Sequence, residues 1–104
     1  LALRRVHRLA PGLPTVLLMD RILPWYRDGR LPSKVPTAGI SIASLLRDAD
    51  YVDRVRQMGG HVHVWTVDDP AQVDRCVDTG VTAIISNRPA MVVSRVRTLL
   101  GSPG

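Results

Sequence analysis

The chain has 104 residues, room for one small domain and not two. Its hydrophobic fraction of 45% is ordinary for a globular protein, and its net charge is +5 at pH 7. No apolar run approaches the roughly 18 residues of a membrane span, no secretory segment is seen, and one cysteine excludes an internal disulfide.

Residues 1–10, LALRRVHRLA, place Leu3, Val6 and Ala10 on one side and Arg4, Arg5 and Arg8 largely opposite, the spacing of an amphipathic helix. The chain opens at Leu1 rather than Met, already inside that pattern, which predicts a processed, truncated or partial polypeptide. Pro11-Gly12 ends the helix. Pro14–Met19 then reads as an apolar strand without alternation, as expected when both faces are buried. Residues 20–36 carry three prolines, one glycine and no clear period, so they predict a long loop with at most one helical turn, anchored by Trp25 and Tyr26.

Thr37–Ile42 predicts a short strand. Asp50 is then expected to cap a helix bearing Tyr51, Val52, Val55 and Met58, which stops at Gly59-Gly60. His61–Val67 alternates as a strand does. Asp69-Pro70-Ala71-Gln72 has the marks of a helix start: an acidic cap, Pro at the first helical position, and Gln three residues after the cap. That helix ends at Gly80. Val81–Ile85 predicts another buried strand, and residues 89–100 a last helix stopped by Gly101.

The order α-β-loop-β-α-β-α-β-α predicts an α/β fold with parallel strands alternating with helices. A free-standing doubly wound sheet satisfies it, and so does part of an eight-stranded β/α barrel. Spacing alone does not choose between them.

The run Gly60, Val62, Trp65-Thr66-Val67-Asp68, Gly80-Val81, Ile84-Ile85-Ser86-Asn87 and Pro89 resembles the carboxyl-terminal segment of the glycerophosphodiester phosphodiesterases. That family closes its barrel with a glycine, a strand ending in W-T-V-N, a helix, then G-V-D-G-I-I-T-D-x-P and a final helix. The resemblance extends over the whole chain, with its specific block at residues 59–90. It implies the C-terminal part of a TIM (β/α)8 barrel, with residues 1–104 supplying the last three or four βα units. Asp68 departs from the family's Asn, Thr82-Ala83 from its Asp-Gly, and Ser86-Asn87 from its Thr-Asp. These changes keep size and turn chemistry while altering polar groups at the barrel mouth.

The resemblance also implies an activity: hydrolysis of glycerophosphodiesters to glycerol 3-phosphate and an alcohol. In a complete member a divalent cation, Mg or Ca, is held by Glu and Asp of earlier strands, and two histidines act as acid and base. The family's H-R-G, E-x-D, H-D and E-x-K motifs do not occur in this chain, and all nine of its acids are aspartates. The resemblance therefore assigns no catalytic and no metal residue here, and the isolated chain is expected to be inactive.

Trp65 is the one residue the resemblance places at the substrate pocket, packing on the glycerol portion; the alternative is a core indole closing the barrel end. His61 and His63 share the Trp65 side of a regular strand, but no third ligand follows at a convincing spacing, so strand-interior histidines are expected. Asp69 is expected to cap a helix and Asp68 to serve the adjoining loop rather than acid–base chemistry. Arg4, Arg5, His7, Arg8, Arg54, Arg56, Arg95 and Arg97 form candidate phosphate or nucleic-acid contacts, yet no helix-turn-helix, zinc or RNA-binding signature accompanies them. Of the 14 basic residues all but Lys34 are arginine, a skew that a GC-rich coding sequence also gives. Cys76 reads as buried. A part-barrel has two open parallel edges, so pairing with another copy is also expected.

Overall fold

Four strands lie side by side in the computed structural model, which describes residues 16–101. They are β1 (Val16–Met19), β2 (Thr37–Ser41), β3 (His61–Trp65) and β4 (Ala83–Ile84), in the spatial order β1-β2-β3-β4. Every neighbouring pair is parallel, with Gly39 opposite both Leu18 and His63, and Trp65 opposite Ser41. A 3-10 turn at Pro24–Tyr26 follows β1. The helices are α1 (Ile42–Arg47), α2 (Tyr51–Gln57), α3 (Pro70–Thr79) and α4 (Pro89–Leu99). The amphipathic helix expected at residues 1–10 lies outside the described residues, as do Arg4, Arg5, His7 and Arg8.

Alternation decides which side chains meet the helices. Met19, Ala38, Ile40, Val62 and Val64 share one face of the sheet and are buried against Leu45, Tyr51, Val52, Val55, Val73, Cys76 and Val92. A fully buried Val, Leu or Ile contributes about 1.5–3 kcal/mol, so this layer dominates the stability. The Tyr51 hydroxyl is buried without a hydrogen-bond partner among the described residues, and burial pushes its pKa up to about 12. The Arg54 guanidinium stacks 5.8 Å from its ring centroid.

Several expectations need correction. The two runs read as buried strands are not buried on both faces: Leu18 in β1 is 69% exposed, both residues of β4 are half-buried, and Ile85 just beyond it is 49% exposed. Among the described residues both strands are sheet edges with helices on one side only, which a continuous apolar run does not reveal. Strand β2 stops at Ser41, whose hydroxyl accepts from Ser44 N at 3.2 Å and caps α1, a helix the sequence did not suggest. Asp50 makes no side-chain cap, because its own backbone is already helical (φ −69°, ψ −14°) and the chain passes almost directly from α1 into α2. Met58 lies exposed at the end of α2 rather than in the core.

The 20–36 connection takes the place a helix would fill in a β/α unit. Ile22, Leu23, Tyr26 and Leu31 pack on the core, whereas Trp25 is 64% exposed, lies outside that cluster and has its ring tilted against Tyr26. Gly29, with φ +93°, brings the loop against the α2 backbone; a Cβ there would lie 2.4 Å from the Arg54 carbonyl carbon. Only glycine permits both the conformation and the approach.

Candidate functional site

The carboxyl ends of parallel strands gather the turns that form sites in β/α folds. Here that end carries Asp20, Ser41, Ser44, Trp65, Asp68 and Ser86. The Asp20 carbonyl oxygen accepts from Ser41 Oγ at 2.7 Å and from Ser44 Oγ at 2.6 Å, which ties the end of β1 to the start of α1. Nothing in the sequence singled out this serine pair, because Ser-x-x-Ser lacks the Glu or Gln of a capping box.

Asp68 organises the other side. Its Oδ1 accepts from Ser86 Oγ at 3.0 Å and from Asn87 N at 2.9 Å. Its carbonyl oxygen accepts from Arg88 Nη1 at 2.9 Å, and Ser86 Oγ in turn accepts from Arg88 N at 2.8 Å. The carboxylate thus pins the β4–α4 turn to the end of β3. An asparagine could accept the same two bonds through its amide oxygen. Asp69 caps α3, accepting from Ala71 N at 2.8 Å. Gln72 completes the pattern one residue early: its Oε1 accepts from Asp68 N at 3.3 Å rather than from the capping residue.

Trp65 is half-buried on the sheet face opposite the helices, and His61 and His63 alternate with it on that same face. His61 is exposed and His63 half-buried. No group of three His, Cys, Asp or Glu among the described residues could hold a metal ion. With no glutamate in the chain, the residues present do not fit the divalent cation of a complete family member.

Of the candidate phosphate-contacting arginines among the described residues, Arg54 and Arg95 are each tied to a different aspartate. Arg54 pairs with Asp48 and donates to the Arg27 carbonyl oxygen at 2.6 Å. Arg95 holds Asp74 in a fork of 2.7 and 2.8 Å that joins α4 to α3, and this hydrogen bonding lowers the Asp74 pKa. Arg97 is exposed on α4. Arg56 leans across the end of α3, where a Cβ on Gly80 (φ +81°) would lie 2.4 Å from its Nη1. It borders a recess of about 510 Å³ with His61 and Thr82 at the amino end of the strands. Both α2 and α3 end at this recess, and their carbonyl dipoles favour a cation such as Arg56 itself over a bound anion. Cys76 is buried, which pushes its thiol pKa up to about 11.

A parallel sheet with helices on one face and mouth residues at the strand ends is part of a TIM barrel, and the solved structures it resembles are barrels of this class. A glycerophosphodiester phosphodiesterase from Parabacteroides distasonis matches 93% of this chain and 40% of its own, with a TM-score of 0.77 at 22% identity. An Oleispira antarctica phosphodiesterase in complex with the product sn-glycerol-3-phosphate matches 91% and 38%, with a TM-score of 0.79 at 20% identity. The model of the glycerophosphoryl diester phosphodiesterase family matches residues 1–91, and the chain belongs to that family. A probable glycerophosphodiester phosphodiesterase 1 of Mycobacterium tuberculosis is 34% identical over 90 residues, 85% of this chain and 32% of its own length. The glycerophosphodiester phosphodiesterase of Bacillus subtilis is 31% identical over the same span, 31% of its length. The chain therefore spans about a third of the length of the curated relatives it matches.

Proposed function

We propose that residues 1–104 form the last three or four βα units of a barrel that hydrolyses glycerophosphodiesters to glycerol 3-phosphate and an alcohol. The family match over residues 1–91 carries this reading. In it, the chain's own contribution is wall and rim. Trp65 packs against the glycerol portion of the substrate, while the Asp68–Ser86–Asn87 hydrogen bonds hold the neighbouring turn in place. The divalent cation, the acid and the base belong to strands outside this chain, and no step of the hydrolysis is assigned to residues 16–101.

The test is a chimera in which this chain replaces the matched third of the Bacillus subtilis relative. The folded chimera is expected to release glycerol 3-phosphate from a glycerophosphodiester with Mg²⁺ or Ca²⁺ present, and the isolated chain is expected to release none. In the chimera, Trp65→Ala is expected to raise KM about 10-fold, the loss of ~1.4 kcal/mol of binding. A folded chimera without turnover overturns the reading. So does an isolated chain whose own turnover disappears with Trp65→Ala.

A second reading has its own support. Among the described residues β1 and β4 are open edges, Leu18 and Ile85 are exposed, and an apolar groove of about 380 Å³ among Val77, Val81, Ile84, Val92, Val96 and Leu100 adjoins the β4 edge. This favours a half-barrel that closes by pairing with a second copy. Size-exclusion chromatography of the chain decides it: a dimer supports pairing, and a soluble monomer dismisses it.

A further inference from the structure

We propose that Gly39 is a positioning residue for the substrate pocket: it leaves a socket in β2 into which the Trp65 indole leans, and so sets how far the indole stands above the sheet. The inference rests on the reading that Trp65 borders that pocket.

Gly39 lies in mid-strand, opposite Leu18 on β1 and His63 on β3. It therefore shares a face with Trp65, one pleat nearer the amino end. The register partner of Trp65 is Ser41, so an indole rising straight from its strand would stand beside Ser41. Its benzo edge instead leans back over Gly39. A Cβ built there would lie 3.1 Å from Trp65 Cζ3, 2.8 Å from Leu18 Cδ2 and 3.1 Å from Val16 Cγ1. Side chains from β1 and β3 thus converge on volume that any residue at position 39 would need for itself.

Conformation does not require this glycine. Among the described residues the glycines with positive φ are Gly29, Gly59, Gly80 and Gly101, and Gly39 is not one of them. Strands disfavour glycine, and one inside a strand commonly marks a close approach. Here the approaching group is the indole. Alanine at this position would displace Trp65 by a few tenths of an ångström, since the exposed Leu18 can swing clear. Valine would fill the socket and lift the ring toward the strand ends.

The test uses the full chain with Trp25→Phe, so that Trp65 alone emits. Adding Gly39→Ala is expected to raise acrylamide quenching of Trp65 slightly, and adding Gly39→Val at least ~2-fold with a red-shifted emission, because packed side chains cannot absorb added methyls without moving. If Gly39→Val fails to fold, Gly39→Ala carries the spectroscopic test, and recovery of folding in Gly39→Val/Trp65→Ala supports the socket. Unchanged quenching in folded Gly39→Ala and Gly39→Val, or no recovery in the double variant, overturns it. The pocket is tested separately in the chimera. There glycerol 3-phosphate should shield Trp65 from quenching, and Gly39→Val should raise KM several-fold more than it lowers kcat. Shielding with an unchanged KM overturns the role of Gly39 and leaves the Trp65 reading standing. No shielding in the parent chimera removes that reading and this inference with it.

Discussion

Strand β3 presents two regions of the molecule side by side. Val62 and Val64 are fully buried against the helices, whereas His61, His63 and Trp65, alternating with them, stand on the face that no helix among the described residues covers. One side of the strand is committed to holding the fold, and the other carries the only residue the resemblance places at a substrate. The difference shows how a β/α unit can vary its site without losing its core. It also explains why large apolar groups such as Leu18 are exposed here: they face the interior of a barrel of which this chain supplies only part.

The contrast can be broken most sharply by truncating the helix-side layer. Ile40→Ala, in urea denaturation, is expected to cost about 2–5 kcal/mol, while Leu18→Ala on the opposite face stays within about 0.5 kcal/mol. Equal costs would mean that both faces carry the fold. Next in size is Asp68→Ala, which strands the Ser86 hydroxyl and the Asn87 N–H and is expected to cost about 1–3 kcal/mol. Asp68→Asn should retain most of that stability, since the amide oxygen still accepts. Asp69→Ala should cost about 1 kcal/mol as α3 loses its cap.

The smallest effects are expected at the surface and in chemical reactivity. The Arg95 guanidinium lowers the Asp74 pKa, so this pair's stabilisation is complete above the ordinary carboxylate range and fades as pH falls through the lowered value. Acid titration of Asp74→Asn, followed by circular dichroism, should show that part of the acid limb missing. Cys76, with its thiol pushed up to about 11, should resist iodoacetamide at mildly alkaline pH in the native chain and react once urea unfolds it. Rapid alkylation of the folded protein would show that its helix layer opens.

Much of this was legible locally. The alternation from His61, the Asp69-Pro70 start and Gly80 stop of α3, and the Pro89 start of α4 all appear where the sequence predicts them. The role of Asp69 was equally readable, because capping involves atoms only two residues apart. The α1 helix was not readable: Ser41 ends a strand and caps a helix at once, so the strand pattern conceals the start. Asp50 misled for the converse reason, a capping residue type in a backbone already helical. Trp25 and Tyr26 look equivalent in sequence, and only the path of the loop over α2 half-buries one and exposes the other.

The sequence by itself determined the parallel α/β order, the family, and the absence of a glutamate with which to hold an ion. These depend on residue identity and on spacing along the chain. Tertiary structure alone decided that Asp68 ties two turns together, that Arg54 and Arg95 pair with different aspartates, and that Gly39 lies beneath the Trp65 indole. Each of those relations joins residues from different elements, and their distances are set only when the strands come into register.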